Sequence, residues 1–141
     1  MSMQLPNYVR KNVWWWRFFP WLNRTANTIY PWVYLPVGVF DDLLSLHPSP
    51  FSEATLKHET VHWERQKEMG IVRFGFNYFF SREFRYQEEL LATEAQIKYL
   101  NLSGLAFDIE ERARRLSSSE YLWCVSYERA KQELVEMWER V

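Results

Sequence analysis

One stretch limits the folds open to this chain more than any other: "SPFSEATLKHETVHWERQKEMG", residues 49–70. It opens with Ser49, which can cap a helix, then Pro50, which suits a first turn. Ser52 is a second capping candidate, and Glu53 falls at the positive end of the helix dipole. The stretch closes at Gly70, a residue that readily takes the backbone conformation that ends a helix. Nothing between those marks breaks a helix, so the spacing predicts one running to about Met69. At 141 residues, the chain reads as a single domain, 1–141, long enough to bury a core without disulfide staples.

The remaining segments divide by their punctuation. Residues 28–39, "TIYPWVYLPVGV", are β-branched and aromatic with two prolines, which predicts an extended or edge-strand element. "IVRFGFNYFF", 71–80, reads as a short buried helix that reverses the chain. A strong helix former covers about Phe84 to Leu100 and ends at "NLSG". Another helix is expected over about Leu105 to Leu116. "SSSE" at 117–120 is a capping-type signal, "YLWCVS" reads as a short extended piece, and Ser126 caps a final helix through Trp138. In that last helix Tyr127, Leu134, Met137 and Trp138 can form an apolar stripe. Such stripes usually pack on a core; the alternative is a lid, formed by the C-terminal segment 117–141, leaning over a cleft. The sum is an α+β fold, mostly helical, with a small strand element before its long helices.

Composition then removes several functions. The net charge is −1, with acids and bases nearly balanced, so nothing favours an electrostatic nucleic-acid binder. Cys124 is the only cysteine; it can form no internal disulfide and supplies no thiolate cluster for a metal. A reducing, cytoplasmic setting is expected. The aromatic N-terminal segment, 1–25, and the residues just after it are strongly apolar. Arg17, Asn23, Arg24, Asn27 and three prolines nevertheless interrupt the run. No stretch reaches the roughly 18 unbroken apolar residues of a membrane span. Nor is there a basic leader with a clean apolar core and a small-residue cleavage site. The segment reads as core, with membrane-surface or partner contact as the second possibility.

The chemistry lies in "HETVH". On a helix, residues four apart share a face one turn apart, so His58 and His62 can aim both imidazoles at one point. That is half of a tetrahedral zinc site. Glu59, about 100° around the helix from His58, places its carboxylate beside an ion rather than on it. There it can act as a base towards a water whose pKa the metal has lowered. A bare match of this kind also arises by accident, with the two histidines on an ordinary amphipathic helix. A catalytic zinc needs a third protein ligand and one open position. A glycine and a third histidine downstream would supply one pattern, but Arg65 and Glu68 stand there. His47, in a proline-flanked loop before the helix, and the acids of "QEELLATEAQ" are the candidates. The later helix fits better, because Ala92 in E-x-x-A lets it approach the histidine helix closely.

His58-Glu59-Thr60-Val61-His62, followed some thirty residues later by Glu89-Leu90-Leu91-Ala92, resembles the gluzincin branch of zinc metallopeptidases. It is most similar to small single-domain members of the minigluzincin type, and "NTIYPWVYLP" looks like the strand that precedes their active-site helix. The resemblance covers roughly residues 25–102. It implies a zincin-like domain, with zinc held by His58, His62 and Glu89 and with Glu59 as the catalytic base. Glu88 and Glu94 stay as rivals to Glu89, and all three could instead form a solvated helix face. The implied activity is peptide hydrolysis, with a peptide or protein substrate laid against the 28–39 strand by strand addition. Tyr86, Arg82, Arg85 and Tyr121 are available as oxyanion donors, and the sequence does not choose among them. The competing reading is a zinc-binding structural or interaction protein without turnover.

Overall fold

The computed structural model describes residues 5–11 and 25–141. The tryptophans at 14–16 and the rest of that aromatic run lie outside the described residues, so the expectation placed on them is not met or broken here. Among the described residues the architecture is α+β and mostly helical. Strands β1 (Asn7–Arg10), β2 (Asn27–Ile29) and β3 (Trp32–Leu35) form a sheet with β3 in the centre. β1 runs parallel to β3 and β2 antiparallel to it. The extended segment is shorter than residues 28–39. Pro36 caps a helix, α1 (Val37–Leu43), where a missing N–H has no partner to lose, so Val37 to Val39 are helical and not extended.

Helix α2 (Pro50–Met69) matches its punctuation. The Ser49 hydroxyl accepts from the Phe51 amide, Pro50 is the first helical residue, and Gly70 stops the helix at φ 89°. The same glycine leads into α3 (Ile71–Phe80). That segment is helical as expected, but it is not buried. Only Phe74 is inside; α3 lays one side on α2 and α4 and leaves the other uncovered among the described residues. Helix α4 (Arg82–Leu102) starts earlier than expected because Ser81 caps it, accepting from the Phe84 amide. Helix α5 (Ile109–Leu116) starts later than Leu105 because the cap is Asp108. The "YLWCVS" piece is not extended. Ser118 closes a 3-10 turn over Ser119–Tyr121, its hydroxyl accepting from Glu120 and its carbonyl from Trp123. Helix α6 (Tyr127–Arg140) begins at the expected Ser126 cap.

Two apolar clusters hold these pieces. In the larger, Tyr86, Leu90 and Ile97 of α4 meet Ala113 and Leu116 of α5 and Ala130, Leu134 and Met137 of α6. Leu134 has no exposed surface. The apolar stripe of the last helix is therefore part of the core, and the lid reading is withdrawn. The smaller cluster joins Val33 and Leu35 of the sheet to Trp63 of α2. Between the clusters α2 runs against α4, with Ala54 and Ala92 both fully buried. What α2 buries is unusual for a helix: Ser52, Ala54, His58, Glu59, His62, Trp63 and Gln66. Buried polar groups are costly without partners, so this face has to be explained by what it touches.

Candidate metal centre

His58, His62 and Glu89 converge between α2 and α4 and form a buried group that could hold a metal ion. The two imidazoles present Nε2 to each other at 3.3 Å. Glu89 straddles them, with Oε2 at 3.3 Å from His58 Nε2 and Oε1 at 3.3 Å from His62 Nε2. A tetrahedral ion with bonds of about 2.0–2.1 Å keeps its ligand atoms about 3.3–3.4 Å apart. The separation of the two imidazole nitrogens matches an edge of such a tetrahedron; the carboxylate meets the two histidines through different oxygens, and with one atom taken from each residue the three donors lie within 4.8 Å of one another. The helix supplies the histidine spacing, and the turn from α3 into α4 sets the height of Glu89.

The three groups also share charge. Burial raises the Glu89 carboxyl on its own, but His62 and His58 outweigh it and hold the group well below the usual carboxylate range. Burial lowers both histidines. For His58 burial prevails over the approach of the Glu89 carboxylate, and the nearby charge of Arg112 adds to the lowering. For His62 the negative charge of Glu89 prevails and pushes it up to about 9. Neither Nδ1 atom has a hydrogen-bond partner, and neither has Glu89 Oε2. The donor set thus offers two imidazole nitrogens and one carboxylate oxygen, a chemistry suited to zinc or a similar divalent ion.

The structure separates Glu89 from its rivals. Glu88 is buried in a bidentate pair with Arg65, at 2.7 Å from Nη2, and its charge is answered there. Glu94 lies partly exposed and pairs with Lys98 at 3.1 Å. His47 is exposed in the loop before α2 and takes no part. Glu59 is buried one residue along from His58, and its Oε2 accepts a 2.6 Å hydrogen bond from the Thr28 hydroxyl of β2.

Several supporting residues went unrecognised in the sequence. The Tyr78 hydroxyl of α3 donates to Glu89 Oε1 at 2.6 Å, leaving Oε2 as the oxygen without a hydrogen bond. Burial, then the charge of Glu89, raises Tyr78 well above its usual pKa, so it keeps the proton that it donates. Gln66 clamps β2: its amide donates to the Thr28 carbonyl at 2.9 Å and its oxygen accepts from the Tyr30 amide at 2.8 Å. Gln66 was findable, since 58, 62 and 66 repeat every four residues on one face. Tyr78 and Thr28 carry no local signal. Of the possible oxyanion donors, Tyr86 is tied to Glu133 in the core and Arg85 to the carbonyls of Tyr78, Phe79 and Tyr121. Arg82 is exposed, and Tyr121 lies near enough for the charge of Glu89 to reach it.

The Gln66 clamp bears on strand addition. Thr28 C=O and Tyr30 N–H point away from β3, where an added strand would pair, and both are already bonded. That part of the edge is closed to a peptide. Comparisons with protein-family models, with curated proteins and with solved structures found no match to this chain.

Proposed function

We propose that the protein is a zinc-dependent peptidase in which His58, His62 and Glu89 hold the ion and Glu59 moves the proton. The observation that carries this reading is the convergence of two buried imidazole nitrogens 3.3 Å apart with a buried carboxylate that comes within 3.3 Å of each. Among the described residues only these three protein donors converge, the ligand number of a catalytic zinc site with one position left for water or substrate. Zinc, when bound, acidifies a water and polarises a carbonyl oxygen. Glu59 is then the base: it is buried beside the ligands, is itself not one of them, and is aimed by the Thr28 hydroxyl. After accepting the proton it can return it to the leaving amine. Tyr78 fixes the Glu89 carboxylate, as outer partners of metal ligands commonly do. The resemblance to the gluzincin branch, in His58, Glu59, His62 and Glu89, points the same way.

A structural zinc protein is the second reading, favoured by the burial of the group: His58, Glu59, His62 and Glu89 are 6%, 5%, 7% and 2% exposed. The test is a comparison of the wild-type protein with Glu59→Gln, both loaded with zinc, on a broad peptide library. The proposal expects equal metal content and a rate lower by about 10²–10⁴ in the variant, because only the proton-transfer group is lost. Cleavage by neither protein would favour the structural reading. Equal cleavage by both would assign the activity to another base or to a contaminant.

A further inference from the structure

Helix α3 turns its most apolar face outwards. Val72, Phe76, Phe79 and Phe80 recur at the spacing of one helix face and are between 64% and 82% exposed. Phe76 and Phe80 lie against each other with ring centroids 4.8 Å apart. The opposite face carries Phe74 and Tyr78, and Tyr78 reaches Glu89.

A second exposed aromatic is held beside it. The Arg85 guanidinium donates to the carbonyls of Tyr78 and Phe79 at the end of α3 and, through Nε at 3.0 Å, to the Tyr121 carbonyl. One buried side chain thus staples the end of α3 to the turn that follows Tyr121. Leu122 and Trp123 in that turn sit at φ 54° and 48°, a left-handed conformation that bulky residues adopt only when the surroundings impose it. Trp123 is 60% exposed there. The Arg85 staple thus keeps an exposed tryptophan next to the end of α3.

Charge selects the partner. Arg73 on α3 and Arg82 just after it are exposed and make no ion pair among the described residues. The nearby acids are already engaged, Glu68 with Arg65 at 3.5 Å and Glu83 with Arg129 at 2.9 Å. The patch is thus phenylalanine and tryptophan bordered by free arginine, the composition that settles at the boundary between acyl chains and anionic headgroups. No helix among the described residues is long and apolar enough to cross a membrane, so the contact would be peripheral. We propose that α3 and the Leu122–Trp123 turn form a docking face for the surface of an anionic lipid bilayer.

The test is co-sedimentation of the full-length protein with vesicles of phosphatidylcholine, alone or with phosphatidylglycerol added. The wild type should bind the anionic vesicles and bind the neutral ones more weakly. Replacing the outward rings together, Phe76→Ser, Phe79→Ser and Phe80→Ser, should reduce partitioning on the order of 100-fold. Arg73→Gln with Arg82→Gln should reduce it roughly tenfold, as should added salt. A Phe80→Cys variant supplies a gain of signal that does not depend on losing binding. A polarity-sensitive dye would react at that exposed thiol, because Cys124 is buried and its thiol is pushed up to about 11. Its emission should shift to the blue on anionic vesicles. Unchanged binding by the triple variant would overturn the proposal by placing the contact elsewhere, for instance in the tryptophan run at 14–16. No vesicle binding by the wild type would also overturn it, and a wild-type dimer that the triple variant dissolves would assign the face to a second copy.

Discussion

Replacing Tyr78 by phenylalanine removes one oxygen atom and one hydrogen bond. The hydroxyl sits 2.6 Å from Glu89 Oε1, inside the protein, and its proton is secure because burial and the charge of Glu89 raise its pKa. A buried hydrogen bond to a charged acceptor contributes about 1.5–3 kcal/mol. Part of that is lost in the metal-free protein too, so the metal-free variant should be less stable by about that amount at most. The effect on metal binding comes from orientation. With Oε1 held by Tyr78, Oε2 has no hydrogen bond to distract it, 3.3 Å from His58 Nε2. Without Tyr78 the carboxylate can rotate away from the histidine pair. Loss of such an outer partner costs about 10- to 100-fold in affinity, or about 1.4–2.7 kcal/mol. The assay is competition for zinc against a chromophoric chelator, with circular dichroism and a melting curve as controls on folding. A Tyr78→Phe protein that folds and binds zinc within about twofold of wild type would refute the claim that this hydroxyl positions the ligand.

Two further perturbations test the frame around the site. Gln66→Leu removes both bonds of the clamp and leaves the Thr28 carbonyl and Tyr30 amide without their partners. Chemical denaturation should show a loss of about 2–4 kcal/mol, and a loss below about 0.5 kcal/mol would show that water or another group satisfies the strand edge. Leu134→Ala empties a fully buried position in the larger cluster and should cost about 2–5 kcal/mol. A neutral result there, or a folded and zinc-loaded protein after deletion of residues 118–141, would restore the lid reading.

The long helix and its site were legible in the sequence because they rest on local rules. Ser49, Pro50 and Gly70 mark the ends of α2 by capping chemistry, and a four-residue repeat puts His58 and His62 on one face. The same repeat puts Gln66 on that face, but the strand groups that it bonds become visible only once β2 is in place. The choice of Glu89 over Glu88 and Glu94 needed tertiary structure: three acids on one helix differ only in which neighbour each meets, and Arg65 takes Glu88. The outward face of α3 could not be read either. An apolar ten-residue segment looks buried by composition, and only packing reveals that Phe76, Phe79 and Phe80 are exposed among the described residues. Pro36 misled in the opposite direction, since a proline that breaks a strand serves equally well to begin a helix.

Metal content tests the central claim most directly. The full-length protein, loaded with zinc, dialysed and measured by elemental analysis, should carry about one ion per chain. His58→Ala, His62→Ala and Glu89→Gln should each lose it, while Glu88→Gln and Glu94→Ala, whose carboxylates face Arg65 and Lys98, should keep it. A wild-type protein that retains no zinc, or a Glu89→Gln protein that retains a full complement, would contradict the account.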